Sequence, residues 1–516
     1  MRLQADVVVV GFGAAGACAA LEAAETGSDV ILLDRFGGGG ATALSGGVVY
    51  AGGGTRQQRE AGVADSADAM YAYLRTEVGD AVSHKTLRDF CDSSVEMMEW
   101  LETQGVPFSA ALCPDKTSYP TNRHYLYYSG SELAAREVAP PAPRGHRTHG
   151  PGTSGRLFYQ RLADAVRARG IRVLPQTTAV SLISEEDGRV TGVECRQLHS
   201  RLHLWLTRLA AKPYLYVPKL GRLLHKPVAW LEKRYSRPIT IVARQGVILA
   251  AGGFVNNRNM MRRHAPACRG GLPLGTPADD GSGITLGTTA GAATAHLDRV
   301  SVWRFITPPS ALLKGILVDR AGRRVCDESL YGAAIGSAIV SKHDGEAWLL
   351  VDSKVLQEAR QQLRSQTLWF QRIQMWYLLS RDRIQAATLR ELAARARIDA
   401  ETLAATLDTY NTAPVDPMGK DQAFAQPLVQ PPFSLIDCSI RPRPAYPAPM
   451  LTLGGLVVSE ESGQVLRPDG TPIAGLYAAG RTAVGICSNS YLSGLSLADC
   501  VYSGRRAGRH AGGASE

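Results

Sequence analysis

Two short stretches carry residue types whose spacing could do chemistry. In the first, Gly11, Gly13 and Gly16 follow the β-branched run Val7–Val10 with G-x-G-x-x-G spacing, and Asp34 closes the next apolar run, Val30–Leu33. That order suits a dinucleotide. The glycines allow a tight turn, close backbone approach to a pyrophosphate and close helix-on-strand packing. The small-residue stretch Ala14–Ala24 then begins a helix whose first N–H groups, at Ala14 and Ala15, face the phosphates, and the Asp34 carboxylate accepts from ribose hydroxyls. A tightly packed βαβ unit without a ligand would have the same order. In the second stretch, Ser488–Asp499 (SNSYLSGLSLAD), the hydroxyls of Tyr491 and Ser493 stand among Leu492, Leu495 and Leu497. Arg, Lys and His are missing throughout 482–504. Hydroxyls in apolar company can hold a carbonyl or pass a proton, whereas two carboxylates need guanidinium forks. Packing alone would also account for a tyrosine there.

The elements that position these residues follow from size and composition. A chain of 516 residues suggests two or three domains, and 45% hydrophobic with 20% charged residues is ordinary for a soluble enzyme. The 53 glycines cluster in phosphate-loop-like stretches. Nine scattered cysteines lack C-x-x-C, C-x-x-C-H or Cys/His metal spacing, so reduced thiols in a cytoplasmic protein are expected, with no metal, c-type haem or iron–sulfur centre. The apolar run Val7–Leu21 is too short and glycine-rich to span a bilayer, and no integral membrane protein is expected. No G-x-S-x-G elbow suggests a hydrolase.

Arg35–Thr55, with GGGGATALSGGVVYAGGGT, resembles the second flavin-contacting loop of the fumarate reductase/succinate dehydrogenase flavoprotein superfamily. The resemblance implies FAD, with Arg35, Ala41 and Thr42 in the loop and Ser45, Gly46 and Gly47 beside the isoalloxazine. Gly40 stands where members with covalent flavin have histidine, so the FAD is expected to be non-covalent. The helix Gly155–Arg169, the strands Val173–Leu182 and Val190–Glu194 around Glu186-Asp187-Gly188, and the strand Gly246–Ala251 leading into Ala250–Phe254 (AAGGF) resemble the adenosine end of the same superfamily. They bring in Ala179, Val180, Ala251, Gly252 and Gly253. Gly275–Ala295 resembles its D-G-x-G turn, and LTLGG with Gly455, then GLYAAGR with Ala479 and Gly480, and finally Ser496 and Leu497, complete the cofactor set.

The fold implied is α/β: a discontinuous, Rossmann-like FAD-binding domain (1–299 and 445–516) with an inserted α+β capping/catalytic domain (300–444). Landmarks of the latter are a strand and turn at Gly315–Val325, an Arg-rich helical stretch at Leu356–Ala394, and ATLRELAARARIDAETLAATLDTYN, which resembles the superfamily's paired capping helices. In the Pro- and Tyr-rich Leu112–Pro151, four tyrosines either pack a loop or line an apolar pocket.

The net charge of +10 belongs to one segment. His199–Pro238 holds nine Lys/Arg, among them Lys212 and Lys219, against Glu232 alone. It reads as an insertion between two strands. Leu202, Trp205, Leu206 and Leu209, then Leu220, Leu223, Leu224 and Leu231, fall on helical faces beside the basic residues. Such helices suit a membrane interface; a hairpin packed on the domain and an oligomer contact are the alternatives. The expected location is cytoplasmic, with peripheral attachment to the inner face of the membrane through this segment, and no nucleic-acid partner.

The chemistry is set by two places. In fumarate reductases the strand equivalent to GRRVCD leads to a proton-donating arginine, where this chain has Glu328–Gly332 (ESLYG) with Tyr331. The missing arginines demote succinate and fumarate. Tyr331, Tyr491 and Ser493 resemble the 3-ketosteroid dehydrogenases, and Y-x-S-G their Δ4-(5α) branch; the Δ1 branch shows Y-x-G-x-G. Some relatives have glycine at Ser496, but any residue except proline supplies the N–H needed there. The resemblance implies 3-oxo-5α-steroid 4-dehydrogenation. Tyr491 O–H and Ser496 N–H hold the C3 carbonyl, Ser493 takes the C4 proton with relay through Tyr331, and the flavin takes the C5 hydride. Tyrosine titrates near ~10, so a relay or a depressed phenol pKa is required. An external electron acceptor, such as a quinone, must reoxidise the flavin. A Δ1-dehydrogenase or other enoate-forming flavoenzyme, a fumarate reductase-like enzyme and a flavin electron-relay protein are the alternatives.

Overall fold

The computed structural model describes residues 1–216, 218–268, 270–443 and 445–513; side chains of 211–219, including Lys212 and Lys219, and the expected domain end at 444 lie outside the described residues. The opening run forms β1 (Arg2–Val10), α1 (Ala14–Glu25) and β2 (Val30–Leu33), followed by β3 (Arg172–Leu174), β4 (Thr177–Ser184) and β5 (Val190–Gln197). Two helices, α2 (Arg201–Tyr216) and α3 (Pro218–Tyr235), precede the long β6 (Arg237–Leu249). After the cap region, which contains α4 (Trp369–Ser380), the chain returns as β7 (Gln464–Leu466), β8 (Pro472–Ala478) and α5 (Leu495–Ala511).

One twisted sheet runs β7-β8-β6-β1-β2-β3, with β8, β6, β1, β2 and β3 parallel. Val7–Val10 is apolar throughout because both faces of β1 are covered: Val7 and Val9 pack toward α1 and α5, Val8 and Val10 toward the opposite core. The alanines of α1 let α5 lie close against it, with Gly504 facing the Ala15 carbonyl. β4 and β5 form the expected hairpin, and β5 continues antiparallel onto β6 with Cys195 opposite Ile239. The basic segment is thus a helical hairpin between two paired strands.

A second core gathers around an antiparallel sheet of Ile316–Val318, Trp348–Val351, Phe433–Asp437 and Arg383–Ala386. The last strand corrects part of the Arg-rich helical stretch expected over Leu356–Ala394. That stretch is helical at Ser353–Gln366, α4 and Leu389–Ala396, and Ile384 pairs with Leu435 between them. All nine cysteines are free. Among the described residues no helix is long and apolar enough to cross a membrane.

Candidate active site

One cavity runs from Asp34 and Arg35, past the N-termini of α1 and α5, to Tyr331 and Tyr446 beneath the cap. Its first half is backbone-rich. Gly13 caps α1 without a side chain, and the first turn carries no acid; the Ala14 N–H donates to Thr42 Oγ1 at 3.0 Å. Gly11 sits at φ 111°, and a Cβ there would meet the Ala250 carbonyl oxygen at 2.4 Å, so only glycine lets the two loops touch. Arg481 donates through Nη2 to Asp279 at 2.6 Å, while its buried Nη1 has no partner. An open helix N-terminus and an orphaned guanidinium N–H in one cavity fit the pyrophosphate of FAD.

Gly11, Gly13, Ala14, Ala15, Asp34, Arg35, Ala41, Thr42, Ser45, Gly46, Gly47, Ala179, Ala251, Gly252, Ala479, Ser496 and Leu497 line this cavity, as do Tyr331, Tyr491 and Ser493. Gly16, Val180, Gly253, Gly455 and Gly480 do not. Gly16 packs on the Gly11 carbonyl, and Val180, on the other face of β4 from Ala179, is 54% exposed. The Asp34 carboxylate accepts the N–H groups of Phe12 (3.1 Å), Phe36 (2.8 Å) and Gly38 (2.9 Å), shaping the loop before any ribose arrives.

Arg35 pairs with Asp280 and with Glu232 of α3, each at 2.9 Å. Burial pushes the Glu232 carboxyl up, but hydrogen bonds from His203 and Arg35 outweigh it and hold the group at about 2. The hairpin is therefore anchored on the domain at this end of the cavity, and Leu231, expected on one apolar helical face with Leu220 and Leu223, is buried beside the anchor. Leu202, Trp205, Leu209, Leu220 and Leu223 do face outward.

The far end is built from rings and hydroxyls. Tyr491 stacks on Trp303 at 4.5 Å, and Tyr331 meets Phe305 edge-on at 5.7 Å and lies 6.2 Å from Tyr491. Ser493 Oγ lies 2.9 Å from the Tyr127 hydroxyl. The segment 127–131 holds both sides of the site: the Ser493 N–H donates to the Ser129 carbonyl (3.2 Å) and the Tyr331 N–H to Ser131 Oγ (3.0 Å). Beneath it, Tyr73 and Ser490 donate to Glu77 at 3.0 and 2.9 Å. Gly494, at φ 97°, caps α5; a Cβ there would sit 2.6 Å from the Tyr50 nitrogen. Behind that cap the N–H groups of Ser496 and Leu497 have no protein acceptor among the described residues.

Burial pushes the phenols of Tyr127, Tyr331 and Tyr491 above their ordinary value, and hydrogen bonding to Ser493 only partly offsets this at Tyr127 and Tyr331. A depressed phenol pKa is therefore not what this site offers; a relay through hydroxyls is. Arg35 and Arg481 are the only cations lining the cavity among the described residues, and both face acids. Arg304, though buried beside the site, turns away and donates to the carbonyls of Tyr446 (3.1 Å) and Ser439 (2.9 Å). Among the described residues no guanidinium pair lines the tyrosine end.

Sequence reasoning missed Tyr127 and Arg481 as site residues. The first lay in the four-tyrosine stretch and the second closed GLYAAGR, but neither stretch shows which side chain turns inward. Of those tyrosines, Tyr119 lines the cavity and Tyr125 packs on His149, so the loop both packs and lines.

Comparison with known proteins agrees with this geometry. The family model described as FAD binding domain matches residues 6–497. The chain is 39% identical over 494 residues to a 3-oxo-5-alpha-steroid 4-dehydrogenase of Comamonas testosteroni, covering 92% of each chain. It is 28% identical to a 3-oxosteroid 1-dehydrogenase of Mycobacterium tuberculosis, covering 94% of each. The crystal structure of the 3-ketosteroid-delta4-(5alpha)-dehydrogenase of Rhodococcus jostii RHA1, in complex with 4-androstene-3,17-dione, superposes with a TM-score of 0.82 at 31% identity, covering 99% of this chain and 97% of that one. The chain belongs to the FAD binding domain family, in its 3-ketosteroid dehydrogenase branch.

Proposed function

We propose that this protein is an FAD-dependent 3-oxo-5α-steroid 4-dehydrogenase. The observation that carries the reading is a cavity end made of Tyr331, Tyr491, Ser493 and aromatic rings, with no spare cation, adjoining a half suited to FAD. A ketone needs donors, and this end supplies them. Tyr491 O–H and the free Ser496 N–H hold the C3 oxygen and stabilise the enolate that develops there. Ser493 Oγ accepts the C4 proton as it passes its own to the neighbouring phenol of Tyr331 or Tyr127, which in turn releases its proton to solvent, so that serine and phenol both end neutral. The rings of Trp303, Phe305 and Tyr446 exclude water around a fused-ring substrate. FAD, when bound, supplies the hydride acceptor for C5. The acceptor that reoxidises the flavin is external, and a lipid-soluble quinone suits it. We also assign the α2–α3 hairpin, with Trp205 and Leu209 outward among basic residues, to a membrane surface.

Anaerobic mixing with a 5α-3-ketosteroid should bleach the flavin and release the 4-ene. A 1-ene product would move the assignment to the Δ1 reaction, and an unreduced flavin would refute the steroid reading.

A further inference from the structure

Helix α4 has two faces of opposite use. Inward, Phe370, Gln371, Gln374 and Met375 line the cavity, and Phe370, itself 38% exposed, marks the cavity's mouth. Outward, Trp369, Ile373, Trp376 and Tyr377 are 72%, 63%, 56% and 41% exposed. Their spacing of four, seven and eight residues puts them on one side of the helix. Single exposed apolar residues are ordinary, but a contiguous aromatic face on one helix marks a contact surface.

The charge around this face is of one sign. Arg364, Arg372 and Arg381 are exposed, and among the described residues none forms an ion pair. Arg372 donates to the carbonyls of Arg364 and Thr367. The nearby acids are taken: Asp382 pairs with Arg443, and Glu358 with Lys314. A second copy packed face to face would set arginine against arginine. Tryptophan and tyrosine edged by unpaired arginine are the composition of an element seated at lipid headgroups, rings toward the acyl chains and guanidinium groups toward phosphate.

We propose that the outer face of α4 docks on an anionic phospholipid surface and sets the cavity mouth against the bilayer. That it thereby admits substrate rests on the steroid reading; the docking itself does not.

The test uses the FAD-loaded enzyme, with vesicles of phosphatidylcholine alone and of phosphatidylcholine with phosphatidylglycerol. Co-sedimentation should be strong only with phosphatidylglycerol. The variant Trp369→Ser/Ile373→Ser/Trp376→Ser, none of whose positions lines the cavity, should partition at least about tenfold more weakly while keeping its flavin and its bleaching by steroid without vesicles. Arg364→Gln/Arg372→Gln/Arg381→Gln should reduce the preference for phosphatidylglycerol to what the basic α2–α3 hairpin alone supplies, which covers the case in which the first variant fails to fold; a preference equal to the parent's overturns the proposal. No sedimentation of the parent overturns the proposal. So does loss of binding only in a hairpin variant (Trp205→Ser/Leu209→Ser), or a dimer in equilibrium sedimentation that the α4 variant turns into monomers. Failure of the steroid reading would show separately, as an unbleached flavin in free solution.

Discussion

Replacing Tyr491 by phenylalanine removes one hydroxyl and leaves the ring. That ring stacks on Trp303 at 4.5 Å and 20°, a contact phenylalanine repeats, so cavity shape and bound FAD should survive. Burial raises the Tyr491 phenol, so in the parent it is a donor at neutral and mildly alkaline pH. A neutral hydrogen bond to the ground-state ketone is worth about 1 kcal/mol, roughly fivefold in affinity. A donor aimed at an oxygen that gains charge is worth about 3–4 kcal/mol, roughly 10²–10³-fold in rate. The difference predicts where the loss falls. In anaerobic stopped-flow, Tyr491→Phe should lower the limiting rate of flavin reduction by roughly 10²–10³-fold, with steroid binding weakened by no more than about fivefold. A limiting rate within about threefold of the parent, at unchanged FAD content, would place the oxyanion donor elsewhere. Weak binding with an unchanged rate would show that Tyr491 serves ground and transition states alike.

Three further outcomes follow from the same contacts. Ser493→Ala should abolish reduction almost entirely, while Tyr127→Phe, which removes one of two phenols next to Ser493 Oγ, should cost about tenfold; equal losses in rapid kinetics would make Tyr127 the sole exit for the proton. Arg481→Lys keeps a charge opposite Asp279 but loses the second guanidinium N–H, and FAD should dissociate about tenfold more readily by flavin fluorescence on dilution; unchanged retention would show that Nη1 serves no cofactor atom. Glu232, held at about 2 in the folded chain, has its pKa lowered on folding, so its contribution is complete above the ordinary value near ~4.5 and fades as pH falls toward 2, up to about 3 kcal/mol in all. Thermal melts should show Glu232→Gln less stable than the parent at pH 7, with the gap narrowing below about pH 4; a gap independent of pH would refute the ion-pair account.

The dinucleotide half was legible because steric necessity writes it locally: Gly11 has no room for a Cβ against Ala250, and no other residue type satisfies that contact. The missing arginines were equally legible, since 482–504 contains none wherever it folds. The strand Arg383–Ala386 was not. Four residues between helices carry no period of their own, and the partner that makes them a strand, Phe433–Asp437, lies some fifty residues on. Leu231 shows a different limit. A helical pattern gives the spacing of apolar residues but not which side meets the protein; the neighbouring Glu232, tied to Arg35, decides it. Tyr127 illustrates a third, because its place beside Ser493 depends on a sheet of two- and three-residue strands in which Gly145–Arg147 pairs with Leu126–Tyr127 on one side and Val48–Tyr50 on the other.

Discrimination between a ketone and a dicarboxylate here lies less in what touches the ligand than in what is already engaged. Each lining arginine faces its own acid, Arg35 two of them and Arg481 the buried Asp279, so neither has a full charge to lend. Arg304, buried and close, is turned onto backbone carbonyls. A carboxylate entering among Trp303, Phe305, Tyr331 and Tyr446 would lose its water with no cation among the described lining residues at that end to receive it, a penalty of several kcal/mol per ion. A ketone loses only a weak acceptor's hydration, which the proposed donors, Tyr491 O–H and Ser496 N–H, would restore. The same dryness that raises the phenols thus excludes dianions, so a single mutation supplying a cation would not suffice to recruit one: it would first have to survive burial without a partner.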